Sequence, residues 1–314
     1  MHNHQKFPIK KCGDAYPLPM TLFVILSLMG ALLPRAKAIT QNAMPGRQIK
    51  QITTILPKDT VRLKQNIVRL ATIIHQSVMH IPMNGTATAT DSLLAYNDQL
   101  ETLIKQASGQ LVDFMNRDFL QWAKAGLKII TAEDKRLRII CWNDALSGTN
   151  QEWIALAVTK NAAGQLLCQE LTDKQYTGIR PTYQQITTIE KQDGSHFYLV
   201  TARGHEDNRI KYDFIKAYKI MPGGTLNDQI QVFNTNSASQ TKLNTIGFEI
   251  DLITSQKAFT RQKGYTNQPY PLIHLSRDKQ MLYIPIIKDN GTLVSGSYLR
   301  YKFDGQQFVY QSSK

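Results

Sequence analysis

From residue 59 the apolar positions fall at steps of three and four. Leu63, Ile67, Leu70, Ile74, Val78 and Ile81 share one face of a helix, with Asp59 placed to cap its start and Pro82 to stop it. After the Thr/Ala/Gly stretch 83–90 a second stripe follows: Leu93, Tyr96, Leu100, Leu103, Ala107, Leu111 and Phe114. It predicts a helix starting near Asp91 and ending at Gly126, with Gly109 as the point where it would kink or break. Two apolar stripes joined by a short loop predict an antiparallel helical hairpin.

Beyond Leu127 the period changes. Short runs rich in β-branched and aromatic residues predict strands at Leu127–Ile130, Arg136–Trp142, Trp153–Val158, Gln165–Leu171, Tyr183–Ile189, His196–Thr201 and Ile210–Ile220. Further strands are predicted at Ile230–Phe233, Ile246–Leu252, Leu272–Leu275, Met281–Ile287, Val294–Phe303 and Gln307–Tyr310. Turn chemistry separates them, as at Asp193-Gly194, Pro222-Gly223-Gly224, Asn290-Gly291 and Asp304-Gly305. Short connections make consecutive strands pair antiparallel. The expected fold is therefore α+β, an N-terminal helical hairpin followed by an antiparallel all-β body, propeller-like or barrel-like and built as a meander.

An internal repeat runs through the body. Glu133-Asp134-Lys135 precedes a strand, then Gly148-Thr149, a strand, and Gly164-Gln165. Arg277-Asp278-Lys279, Gly291-Thr292 and Gly305-Gln306 repeat that order at offsets of 144, 143 and 141 residues. Lys191-Gln192-Asp193-Gly194 ahead of His196–Val200 reads as a third copy.

The segment before residue 39 is of a different kind. The apolar run Thr21–Leu33 follows Lys6, Lys10 and Lys11 and precedes the small-residue triplet Ala36-Lys37-Ala38, the order of a secretory signal peptide. About 13 helical residues cover only ~20 Å, short of the ~30 Å hydrocarbon core, so cleavage after Ala38 is expected rather than an anchor. Cys12 lies ahead of the apolar run, which disfavours a lipid-modified cysteine. The expected organisation is a signal peptide over 1–38, a helical segment over 39–126 and an antiparallel β domain over 127–314. An exported chain, periplasmic or extracellular, with no stable membrane span after cleavage, is the consequence.

Charge narrows the partners. The chain carries +13, and removing 1–38, with five cations against Asp14, leaves +9. No dense Lys/Arg tract marks a nucleic-acid footprint. A dispersed basic surface in the envelope suits glycan, anionic lipid or another envelope protein. Cys141 and Cys168 are the cysteines of the mature part. In a simple meander a strand stands between them, which predicts that they do not pair.

The stretch Asp134-Lys135-Arg136-Leu137-Arg138-Ile139-Ile140-Cys141-Trp142, with its charged turn and aromatic, followed by the Gly148-Thr149 turn, resembles uncharacterised exported proteins of Bacteroidetes-type bacteria, in which a helical part leads into such strands. The resemblance covers most of the mature chain and implies no activity.

Candidate chemistry is sparse. No G-x-S-x-G elbow, H-E-x-x-H helix, P-loop or G-x-G-x-x-G occurs, and no cysteine or histidine spacing fits a metal site or calls for a cofactor. No catalytic residue is assigned. His205-Glu206-Asp207 occupies an expected turn, and Glu249 and Asp251 share one strand face. His75 and His274 read as packed or surface residues. The best binding candidate is the long connection carrying Phe259, Arg261, Lys263, Tyr265 and Tyr270, where aromatic faces and guanidinium forks suit sugar rings or anions. These features predict a non-enzymatic exported protein, binding or envelope-structural. The alternative is a hydrolase of an envelope polymer drawing on Glu249, Asp251 or His205.

Overall fold

A computed structural model describes residues 57–80, 87–146, 152–172, 180–205, 209–235, 242–251, 273–288 and 293–312. Helices α1 (Pro57–His80) and α2 (Ala87–Gln110) have 24 residues each, about 36 Å at 1.5 Å per residue. The connection 81–86 reaches at most about 25 Å, so α2 must return antiparallel along α1. The expected stripes pack inward, with Ile104 added to the second and Leu93, Tyr96 and Leu103 only half-buried. Leu63, Ile67, Leu70 and Ile74 of α1 meet Leu100, Ile104 and Ala107 of α2, while Ile81 lies outside the described residues.

Two details differ from the sequence reading. The first helix opens at Pro57, so Asp59 sits in its first turn instead of capping it. The second helix stops at Gln110, beside the expected break point Gly109 and well short of Gly126. Asp113 takes a positive φ of 57°, its carbonyl accepts from the amides of Asn116 and Arg117, and only a short helix, α3 (Leu120–Lys124), follows. The break lets Phe114, Phe119 and Trp122 fold into one aromatic knot, Phe119 lying on Trp122 with centroids 4.2 Å apart. Gly126 then turns the chain at φ 100°. A Cβ there would stand 2.6 Å from the His75 ring, which fixes glycine on both backbone and steric grounds.

The described strands of the body form three sheets. The first is the meander β1 (Lys128–Thr131), β2 (Leu137–Asn143), β3 (Trp153–Lys160) and β4 (Leu166–Glu170), antiparallel throughout. The second runs β5 (Thr182–Glu190), β6 (His196–His205) and β7 (Ile210–Ile220). The short β8 (Leu226–Asn227) pairs with one end of β7, and β11 (Thr245–Asp251) with the rest of it. The third sheet is the meander β12 (His274–Leu275), β13 (Met281–Ile287), β14 (Leu293–Phe303) and β15 (Phe308–Gln311). It is extended by β9 (Phe233–Asn234) and β10 (Lys242–Leu243), and the β15–β9 pair is parallel. The expected single strand Ile230–Phe233 is replaced by the two short strands β8 and β9.

The sheets stack face to face. Ile140 and Trp142 of β2, with Leu156 and Val158 of β3, pack under the helices. Their alternates Ile139, Cys141, Ala155 and Ala157 face the second sheet, meeting Tyr198, Val200, Tyr212 and Phe214. The alternates of that sheet, Phe197, Leu199, Ile215 and Ala217, meet Leu282, Ile284, Phe303 and Phe308 of the third. Order across the stack is helices, first sheet, second sheet, third sheet. A strand buried on both faces must be apolar at consecutive positions, which is why β2, β3, β6 and β7 read as continuous runs.

Three hairpins carry the repeat into three dimensions. In each, an Asp carboxylate accepts the amide two residues on: Asp134 from Arg136 (3.0 Å), Asp193 from Ser195 (2.9 Å) and Asp278 from Gln280 (3.1 Å). The residue after that Asp has positive φ in all three, Lys135 at 56°, Gly194 at 77° and Lys279 at 60°. Gly164, Gly224 and Gly305 hold positive φ in the hairpins at the far end of each meander. The turns also tie layers together, through Lys279 Nζ to Glu133 Oε2 (2.6 Å) and Gln192 N to Gly305 O (3.0 Å). The Gly148-Thr149 and Gly291-Thr292 parts of the repeat lie outside the described residues.

Cys141 faces Ala155 across β3, and Cys168 faces Val158 from the other side of that strand. Both thiols are free.

Candidate functional site on the outer face of the third sheet

Helices cover one end of the stack. At the other end, the outer face of the third sheet carries no further layer among the described residues. On β13 and β14, Leu282, Ile284, Tyr301 and Phe303 point inward, so their alternates Tyr283, Tyr298, Arg300 and Lys302 point outward. Strand pairing places His274, Tyr283, Arg300 and Gln311 in one row across four strands, with Tyr298 beside them opposite Pro285. His274, Arg300, Lys302 and Gln311 are exposed, and the two tyrosines are half-buried.

The rings form a cluster. His274 lies flat on Tyr283 with centroids 4.9 Å apart and planes 12° from parallel. Tyr298 stands edge-on to both, 5.3 Å from His274 and 6.1 Å from Tyr283. A planar guanidinium and a carboxamide therefore continue a row that begins with stacked rings. The described strand residues of this face include Arg300 and Lys302 and no carboxylate. Flat apolar rings beside cationic and amide donors suit a polymer whose units have a ring face, hydroxyls and acid groups.

The remaining candidates are placed as follows. Phe259, Arg261, Lys263, Tyr265 and Tyr270 lie outside the described residues, in the segment joining β11 to β12. His205 ends β6, while Glu206 and Asp207 also lie outside. Burial, then Lys211 and Arg203, hold the His205 imidazole below its ordinary pKa. Glu249 is exposed. Asp251 is committed to Arg209, whose Nε donates to its Oδ2 at 2.9 Å. His75 packs on Gly126. Among the described candidates, His205, Asp251 and His75 are not brought into one cluster. Of the histidines weighed from the sequence, only His274 sits in the ring cluster.

A second cluster, missed in the sequence, sits where the first hairpin meets the second sheet. The Tyr198 hydroxyl donates to Asp134 Oδ2 at 2.7 Å, and His196 Nε2 lies 3.1 Å from that hydroxyl and 3.3 Å from Arg136 Nη1. Burial and then the Asp134 bond push the Tyr198 hydroxyl well above its ordinary pKa. It stays protonated and its proton is spoken for, so the cluster is a tie between layers and not an activated nucleophile. Nearby, a cavity of about 330 Å³ is lined by Glu133, Asp134, Glu190 and Lys279. The Lys279 ammonium bridges it, donating to Glu133 and to the Thr188 carbonyl. Among the described residues no group of three or more His, Cys, Asp or Glu side chains is placed to hold a metal ion.

Comparison with protein family models, with curated proteins and with solved structures gives no match. Function is therefore argued from the site alone. No helix among the described residues is long and apolar enough to cross a membrane.

Proposed function

We propose that this is an exported, non-enzymatic binding protein of the cell envelope that engages an acidic glycan through the outer face of its third sheet. The observation that carries the reading is the row His274–Tyr283–Arg300–Gln311, with Tyr298 closing the ring cluster. The stacked Tyr283 and His274 rings offer aromatic surface, Arg300 a fork for a carboxylate, and Gln311 a hydroxyl partner. The chain's positive charge adds long-range attraction to an anionic polymer. Export rests on the leader-like pattern of residues 1–38. The binding reading is supported further by how the titratable groups are used. Asp251, Asp134 and Tyr198 are each committed to a neighbour in a tie between structural elements.

Co-sedimentation with purified peptidoglycan sacculi, an acidic ring polymer, tests the reading, with neutral amylose as control. The chain is expected to pellet with sacculi in a salt-sensitive way and to leave amylose in solution. Tyr283→Ala with Tyr298→Ala, and separately Arg300→Glu, are expected to lower the bound fraction at least tenfold with the circular dichroism spectrum unchanged. Equal binding by all three proteins would remove the row from the site. Release of new reducing ends from the sacculi would replace the reading with a hydrolase.

A further inference from the structure

At the opposite end of the stack an apolar groove runs between α1, the 111–119 segment and α3. Its volume is about 630 Å³, inside the roughly 300–1,000 Å³ span of small-molecule sites. Val68, Phe119, Leu120 and Trp122 form its walls, and Lys64, Arg69 and Arg117 stand on its rim against one carboxylate, Asp118. Leu120 is 61 % exposed there, although it lies one residue from the aromatic knot. The broken second helix makes the groove, because a continuous helix would carry Phe119 and Trp122 away from α1.

No rim cation is in an ion pair among the described residues. Arg117 Nε donates only to the carbonyl of Val112 (2.8 Å). Among the described residues neither Lys64 nor Arg69 has an ion-pair or hydrogen-bond partner. Three cations at the mouth of an apolar trough complement an occupant with one hydrocarbon tail and one acid head. We infer that the groove binds a single-chain anionic amphiphile of the long-chain carboxylate class, its tail along Val68, Phe119 and Leu120 and its carboxylate between Lys64, Arg69 and Arg117. This site is separate from the proposed glycan face and stands or falls independently of it.

Trp122 in the wall supplies the readout. The full chain is titrated with a bromine-tagged dodecanoate below its micelle concentration, and tryptophan fluorescence is followed. The expected result is saturable quenching that untagged dodecanoate reverses and butyrate does not. The double variant Lys64→Glu/Arg69→Glu, on the helix surface, should weaken the apparent affinity at least tenfold. Val68→Trp should fill the trough and abolish saturation. Both variants are checked for an unchanged melting curve. If a Val68→Trp chain fails to fold, Leu120→Glu, at an exposed position, serves in its place. Equal binding of dodecyltrimethylammonium would deny any role to the rim cations and overturn the proposal. So would quenching indifferent to every variant, or no quenching at all. A concentration-dependent dimer that Val68→Trp dissociates would give the groove to a second copy, and it too would overturn the proposal.

Discussion

Arg138 is the residue on which the join between helices and sheets can be tested most sharply. It sits on β2, is 4 % exposed, and has no carboxylate within bonding distance among the described residues. Its guanidinium instead donates to the carbonyls of Phe114 (2.5 Å), Met115 (3.2 Å) and Arg117 (2.9 Å), and to Thr131 Oγ1 (2.8 Å). The Phe114 and Phe119 rings lie 5.6 and 5.1 Å from its central carbon. One side chain therefore closes the orphan carbonyls of the 111–119 turn. Arg138→Met keeps the apolar stem and deletes the four bonds. Hydrogen bonds to a charged group contribute about 1.5 kcal/mol each at the low end, so roughly 6 kcal/mol is lost. Against this stands relief from burying the cation. Burial lowers its pKa from 12.5 to about 10, worth about 3.5 kcal/mol at ~1.4 per unit. The net loss is about 2.5 kcal/mol, or a fall of about 5–10 °C in melting temperature for a body of this size. Scanning calorimetry with far-ultraviolet circular dichroism measures it. Arg138→Lys, with three donors and no fork, should fall between the two. A Met variant melting within a degree or two of the parent would show that the burial cost cancels the bonds, and the clamp argument would be wrong.

Two other outcomes follow from the burial pattern. Tyr198 and Tyr301 both hold their protons more tightly when folded, mainly through burial, Tyr301 being pushed up to about 12; since unfolded tyrosines ionise near ~10, stability from these two is full below pH 10 and is lost as pH rises through the folded values. Absorbance titration near 295 nm should show Tyr198 and Tyr301 among the tyrosines that lag until the chain unfolds, and a single early phase would contradict this. Thiol counting on denatured, unreduced secreted protein should give two groups for a chain beginning at Ile39, and three, with Cys12, for an uncleaved one. In the native state Cys168 should alkylate slowly near neutral pH, since burial pushes its thiol up to about 11, and Cys141 only on unfolding.

The elements were largely legible because each obeys one period. The stripe from Leu63 to Ile74 and the strands of the three meanders fall where spacing and turn residues put them. The break in the second helix was legible at Gly109, one residue before α2 ends, but the stripe continued to suggest helix beyond it, because Leu111 and Phe114 keep the helical spacing after the backbone has left it. Buried polar clamps escape a periodic reading for the opposite reason. Asn97 sits among apolar neighbours, taking the Trp142 indole proton (2.8 Å) and donating to the Asp144 carbonyl (2.9 Å), and nothing local distinguishes it from a solvent-facing Asn. The ring cluster was invisible for want of register. His274, Tyr283 and Tyr298 lie on three consecutive strands, and the register of β12, β13 and β14 is what puts them side by side. The three Asp turns were visible as a repeat, but their shared hydrogen-bond geometry belongs to the folded backbone.

A stack of two-faced sheets has no built-in terminus. Each layer offers the next an apolar plane, and like any array of repeats it needs a stop at both ends. The helical hairpin is one stop. At the other end Arg300, Lys302 and Gln311 stand exposed beside the tyrosines, and any further layer would have to desolvate them. Replacing Arg300 and Lys302 with valine would turn the terminal layer into an ordinary internal one, whose natural occupant is the same face of another copy. The cations that give this face its proposed ligand preference thus also oppose the stacking of another apolar layer on it.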